Sequence, residues 1–371
     1  PLHRSVETYP PVTLYLDYQA TTPLAPEVAA AMRPWLEDKF ANPHSAHKLG
    51  REAAAPIAIA REKVAALLPP GGKLWFTSGA TEALNWALRC AGSGGITLPD
   101  TEHAAVRDTA LWLGSHGRPV SILPVSQDGL LDANVRLPDG TGMIATMLVN
   151  NEIGVIQPVS ALAQAAHARG ALVLCDAVQG YGRMPIPDGP DLIAISAHKI
   201  HGPKGIGALW VKDGVAITPL LFGGGQEGGL RSGTLSPALC AGFGAAAALA
   251  KTCMDADAAH VDRLWALARA HLPKGWQING SAEARYKGNL NIRRDGLDVA
   301  RLMSDLRGIA FSAGSACASG SGRPSHVLKA IGLSDAQAKS SVRLGFGRYT
   351  QDTDLADALD QIVAAAHQQG V

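Results

Sequence analysis

The sequence predicts an α/β fold, with a large domain built on a mostly parallel sheet followed by a smaller α+β domain. Short apolar runs alternate with amphipathic helical segments through most of the chain. No uninterrupted apolar run reaches the roughly 18 residues of a membrane span. Hydrophobic residues make up 47% and charged residues 18%, which excludes disorder. A length of 371 residues gives room for about two domains and a large core. The formal charge of +1, from 33 Lys+Arg against 32 Asp+Glu, provides no global attraction to nucleic acid or to an anionic membrane. The 41 glycines, beside only 5% aromatic residues, point to tight turns and close backbone approaches.

Taken in order, the runs at 73–77, 95–98, 119–123, 143–149, 171–175, 192–195 and 206–211 have the length and composition of buried strands. Residues 82–90, 104–116 and 160–169 carry helical spacing, and this alternation builds a mostly parallel sheet covered on both faces. Residues 13–254 are therefore read as one large domain. Residues 236–272 are rich in Ala and Leu with no proline after Pro237, so they form one long helix or two in succession that link the domains. Beyond them, strand-like 276–279, 289–293 and 341–346 are interspersed with helical 299–307 and 352–367. Residues 255–371, together with 1–12, are read as the small domain. Residues 312–324, rich in Gly, Ser and Ala, are expected to form an exposed, mobile loop carrying Cys317.

The five cysteines are odd in number and contain no CxxC pair, which argues against a disulfide framework or a structural zinc site and for a reducing cytoplasm. The opening residues 1–4 carry no apolar stretch of signal-peptide type. Cys90, Cys175 and Cys240 read as small buried hydrophobes, whereas the loop could expose Cys317.

In an α/β sheet, ligands bind beyond the carboxyl ends of the strands, so the polar residues that stop each run are informative. The first run ends in Thr77-Ser78-Gly79-Ala80-Thr81-Glu82 and enters a helix, which makes a cradle for phosphate or, alternatively, a simple helix cap. Asp176 ends one buried run and Ser196-Ala197-His198-Lys199 another. Neighbouring strand ends could bring both to one pocket, where Asp176 would hold a protonated ring nitrogen and Lys199 would form a Schiff base with an aldehyde. That pair is the minimal kit for pyridoxal 5'-phosphate; the alternative is a turn-capping Asp176 and a solvated Lys199. His103, in Thr101-Glu102-His103, could stack on a ring and move protons, and the Asn150-Asn151-Glu152 stretch offers amide donors. Lys199 is favoured over Lys204, because packing behind a buried run can fix its position and lower its pKa. No GxGxxG opens a helix after the first strand, which disfavours dinucleotide binding.

Together, Leu16-Asp17-Tyr18-Gln19-Ala20-Thr21-Thr22-Pro23, 77–82, 149–158, 196–207, Arg231-Ser232-Gly233-Thr234 and 312–328 resemble a cysteine desulfurase of the class V aminotransferase group. The resemblance spans nearly the whole chain. It implies a homodimer of pyridoxal-phosphate fold type I, like that of aspartate aminotransferase. It implies that Lys199 carries the cofactor, Asp176 pairs with the ring nitrogen and His103 stacks on the ring. Ala80 and Thr81 would hold phosphate with Ser196 and His198, and Thr234 would reach the phosphate of the other subunit. Gln179 and Asn151 would contact the ring oxygen and nearby groups. Arg343 would bind the substrate carboxylate, for which a bidentate guanidinium is suited.

Cys317, in Ser315-Ala316-Cys317-Ala318-Ser319, matches the catalytic cysteine of the subgroup with a longer loop. Its thiolate would take sulfur from L-cysteine as a persulfide, releasing alanine, and deliver it to an acceptor protein such as an iron–sulfur scaffold or a thiolation enzyme. The chain ends at Val371 without the longer tail that housekeeping members use to dock that scaffold, and Gly228 stands where many members carry Arg. A selenocysteine lyase or another class V aminotransferase would share the cofactor residues but would not need the Cys317 thiol, and a catalytically silent scaffold would turn over no amino acid.

Overall fold

The computed structural model describes residues 14–314 and 324–371. Seven strands form the central sheet, in the spatial order Gly72–Thr77, Gly207–Lys212, Leu192–Ser196, Leu172–Asp176, Thr141–Met147, Gly95–Pro99 and Val120–Leu123. Only Gly207–Lys212 runs antiparallel to its neighbours, so the sheet is mostly parallel, as the alternating sequence pattern predicts. Side chains alternate between its faces with the period of two that a strand imposes. Leu174, Leu192, Ala194 and Leu209 pack with the helices Ala80–Cys90 and Ala104–Ser115. Cys175, Ile193, Ile195 and Ala208 face the opposite core, with the helices Lys48–Ala65 and Pro237–His271. Burial on both faces explains why these strands read as continuous apolar runs.

Residues 237–271 form one helix of 35 residues, begun by Pro237 and capped by Ser236, whose hydroxyl accepts the Leu239 N–H. By length and composition part of it could cross a membrane. Its apolar residues instead pack into two cores: Cys240, Phe243 and Ala247 into the large sheet's core, and Leu264, Trp265 and Ala268 into a C-terminal one. That second core covers an antiparallel sheet ordered Ser312–Ala313, Ser341–Gly345, Asn289–Arg293 and Gln277–Ile278.

Two features depart from the sequence expectation. Leu14–Tyr15 pairs in parallel with Ile309–Ala310, and Leu16 lies in the C-terminal core, so the start of the 13–254 segment packs with the later part of the chain. Ser312–Ala313 is a strand rather than loop, because its backbone pairs with Val342 and Arg343. The rest of the expected loop, including Cys317, lies outside the described residues except at its edges.

Candidate active site

A cleft of about 590 Å³ opens at the carboxyl ends of the parallel strands. It brings together Ala80, Thr81, His103, Asn151, Asp176, Gln179, Ser196, His198, Lys199 and Arg343, which the sequence scatters over more than two hundred positions. Strands Leu172–Asp176 and Leu192–Ser196 are parallel neighbours, with Asp176 beside Ala194, so Asp176 and the turn Ala197–Lys199 face one space.

At one end, Gly72–Thr77 stops and the helix Ala80–Cys90 begins without a side-chain cap, so its first N–H groups are left to a ligand. Gly207 allows this arrangement: a Cβ there would lie 2.7 Å from the Gly79 carbonyl carbon and 2.8 Å from the Ala80 nitrogen. Glu82 accepts the Ser78 N–H at 2.8 Å and binds Arg231 through Nε at 2.7 Å and Nη2 at 3.0 Å. The cradle is thereby tied to the glycine-rich segment that carries Thr234. Thr234 itself is exposed and lies outside its own chain's cleft.

Asp176 is buried and accepts the Val178 N–H at 3.0 Å; burial raises its pKa, while His103 and Lys199 pull it back down. His103 caps the helix Ala104–Ser115, its Nδ1 accepting the Ala105 N–H at 3.0 Å, so the ring proton sits on Nε2. Burial lowers the His103 pKa and keeps the imidazole neutral. Lys199 Nζ donates to the carbonyls of Gln19 and, at 2.9 Å, Ala20. Burial, reinforced by Arg183 and Arg343, lowers its pKa to about 7. His198 is lowered to about 4 by burial and by Lys199, Lys204 and Arg183.

Burial is the largest cause of each of these shifts, and neighbouring cations add to it for Lys199 and His198 in the cleft. Lys199, Lys204 and Arg343 line it against the single carboxylate of Asp176. An uncapped helix start beside those cations suits a phosphate, and a buried carboxylate suits a basic ring nitrogen. A lysine lowered to about 7 suits condensation with an aldehyde. The donor set therefore fits pyridoxal phosphate.

Arg343 is fully buried in strand Ser341–Gly345 and already donates to Asp17 at 2.7 Å, to the Asn151 carbonyl at 3.0 Å and to Ser312 Oγ at 3.3 Å. Its Nε has no partner among the described residues. Gln179 is also committed: its Nε2 donates to the Gln19 carbonyl at 2.9 Å and its Oε1 accepts from Arg183 at 2.8 Å. Cys317 lies outside the described residues, but the chain on both sides of it is anchored near the cleft. Gly314 N–H donates to the Ser341 carbonyl at 2.7 Å, Ser325 Oγ donates to Glu152, and His326 Nε2 lies 2.9 Å from the Glu102 carbonyl.

Residues 14–358 match the family model for class-V aminotransferases. Cysteine desulfurase IscS of Rickettsia felis is 39% identical over 95% of this chain and 91% of its own. The chain belongs to the class-V aminotransferase family, in its cysteine desulfurase branch. A solved structure of a NifS-like protein, 31% identical, superposes with a TM-score of 0.87 over 96% of this chain and all of the other. A second, SspA in complex with cysteine, is 32% identical with a TM-score of 0.81 over 91% of this chain. The desulfurase fold thus accounts for the cleft's position at the strand ends. Sequence reasoning assigned no role to Asp17, Arg183 or Glu102, which hold the lining residues Arg343, Gln179 and Met147 in place. Asp17 follows the short stretch Leu14–Leu16, but its partner lies 326 residues away.

Proposed function

We propose that this chain is a pyridoxal-phosphate-dependent cysteine desulfurase that converts L-cysteine to L-alanine and holds the sulfur on Cys317 as a persulfide. The observation that carries this reading is the union, in one cleft, of a buried Asp176, a Lys199 amine lowered to about 7 and an uncapped helix start, in a chain 39% identical to a cysteine desulfurase. When bound, pyridoxal phosphate supplies an aldehyde for amines and a ring that accepts electrons from the substrate's Cα.

The residues have separate tasks. The first turn of Ala80–Cys90, with Thr81, Ser196 and His198, binds phosphate, and Thr234 completes that contact for a second copy in a homodimer. Asp176 would hold the protonated ring nitrogen, and His103 would lie beside the ring and move protons through its Nε2. Gln179 and Asn151 would contact the ring oxygen and nearby groups. Arg343, held by Asp17, takes the substrate carboxylate through its remaining donor, which fixes which amino-acid face meets Lys199 Nζ. That amine, neutral above pH about 7, takes the Cα proton. The Cys317 thiolate then attacks the substrate sulfur. An S–S bond forms as C–S breaks, and the electron pair left on carbon takes a proton, giving alanine.

The same reading includes a division into residues 13–254 and 255–371, the second with 1–12, and work in the cytoplasm. Five cysteines without paired spacing are consistent with that compartment. The persulfide passes to a sulfur-acceptor protein, of the iron–sulfur scaffold or thiolation class. Alanine release from L-cysteine, in the presence of a reducing thiol, tests the proposal. Wild type should release alanine and Cys317→Ala should lose the activity by about 10²-fold or more. Equal release from both proteins would place sulfur cleavage elsewhere.

A further inference from the structure

A second cavity, of about 210 Å³, shares Lys199 with the cleft and no other lining residue. It lies between the helix Pro237–His271 and the segment around Tyr286. Its wall holds more cations than carboxylates: Asp257 and Asp262 pair with Arg348 and Lys287, which leaves Arg183 and Arg285. Arg183 donates only to neutral oxygens, including Gln179 Oε1 at 2.8 Å and the Lys199 carbonyl at 2.7 Å. Its guanidinium lies 5.1 Å from the centre of the Tyr286 ring. Arg285 is 3% exposed, lies over the Trp265 ring at 4.6 Å and, among the described residues, donates only to the backbone carbonyls of Ser281, Ile153 and Asn289, leaving Nε unpartnered. Arg348 is paired with Asp257, yet its Nη1 is also buried without a partner among the described residues. Neither Arg183 nor Arg285 forms an ion pair among the described residues.

Burying a guanidinium without a counter-anion is costly, and burial accordingly pulls Arg285 down to about 10. One part of the remaining wall is apolar, formed by Ile156, Met184, Ile200, Ala250 and Val261, and the rest carries Tyr18, His201 and the two ion pairs. A pocket with an apolar wall and a few convergent donors is the usual form of a small-molecule site. A planar carboxylate matches a guanidinium fork, and an apolar body matches the apolar part of the wall better than an inorganic ion does.

We propose that this cavity binds a small organic acid, its carboxylate held by Arg183 and Arg285 and its apolar body packed against Ile200 and Val261. Because Arg183 also donates to the Lys199 carbonyl, an occupant reaches the turn that carries the cleft's amine. This inference goes beyond the proposed desulfurase reaction and does not depend on it.

The test is calorimetric titration of the purified, cofactor-loaded protein with 4-bromobenzoate, followed by location of the bromine by anomalous scattering in a soaked crystal. Ala258 is exposed on its helix and borders the cavity, so Ala258→Phe fills the space without disturbing a core. The expected results are one site per chain, bromine in this cavity, and binding at least about tenfold weaker in Ala258→Phe. Binding should also weaken at high salt, and 4-bromobenzyl alcohol should bind far less well. No binding below about 10 mM, or bromine in the cofactor cleft with affinity unchanged in Ala258→Phe, would overturn the proposal.

Discussion

Burial lowers the Lys199 amine to about 7, with Arg183 and Arg343 adding to the effect and Asp17 and Asp176 opposing it. The charged form is the one burial disfavours, so the amine is protonated below pH about 7 and neutral above it. Lysines in water titrate near about 10.4. In cofactor-free protein, trace labelling with acetic anhydride should therefore modify Lys199 with a midpoint near pH 7, far below the exposed lysines, and a midpoint near theirs would show that the amine is solvated. Asp176 and Lys199 were legible in the sequence because each directly follows a buried apolar run. The commitments of Arg343 and Gln179 were not, because Asp17 and Arg183 reach them only through the fold. Arg343, expected to bind the substrate carboxylate through a bidentate guanidinium, is already paired with Asp17.

Two carboxylates hold the elements around the cradle. Glu227 has its side chain only 2% exposed, accepts the Phe76 N–H at 2.8 Å and forms a two-pronged pair with Arg61. It does so from a backbone with φ of 53°, a left-handed conformation rare outside glycine. The glycine-rich segment is thus fastened to the edge strand Gly72–Thr77 by Glu227, and to the start of Ala80–Cys90 by Glu82 and Arg231. Glu227→Gln keeps the shape and removes the charge, so it should lower stability by about 1–3 kcal/mol in urea unfolding. No measurable change would mean that the pair contributes only geometry. The seven sheet strands were readable from apolar runs, whereas helices Pro26–Glu37 and Lys48–Ala65 were not singled out. Each contains an internal proline, Pro34 or Pro56, which masks a helical pattern in the sequence, and tertiary packing against Pro237–His271 overrides that signal.

At the scale of the molecule, one helix carries side chains into both large cores, and the strand Leu14–Tyr15 returns the chain's start to the C-terminal one. Cores that share a 35-residue helix without an internal proline should lose structure together. Chemical unfolding of the cofactor-free protein is therefore expected to give one transition, coincident by tryptophan fluorescence and far-ultraviolet circular dichroism. Two separated transitions would show that the helix uncouples near its middle. The separate central and C-terminal sheets were legible in the change from alternating strands and helices to an α+β pattern. The crossing of Leu14–Leu16 into the later core was not, because two-residue strands carry almost no periodic signal.

The account's central claim is that the cleft prepares sulfur for transfer to one particular thiol. Peptide mass mapping of the cofactor-loaded protein after brief exposure to L-cysteine, without reductant, tests it most directly. The account predicts one added sulfur atom on the peptide containing Cys317, lost on treatment with a reducing thiol. Added sulfur on Cys90, Cys175, Cys240 or Cys253 instead, or alanine formed while Cys317 stays unmodified, would contradict it.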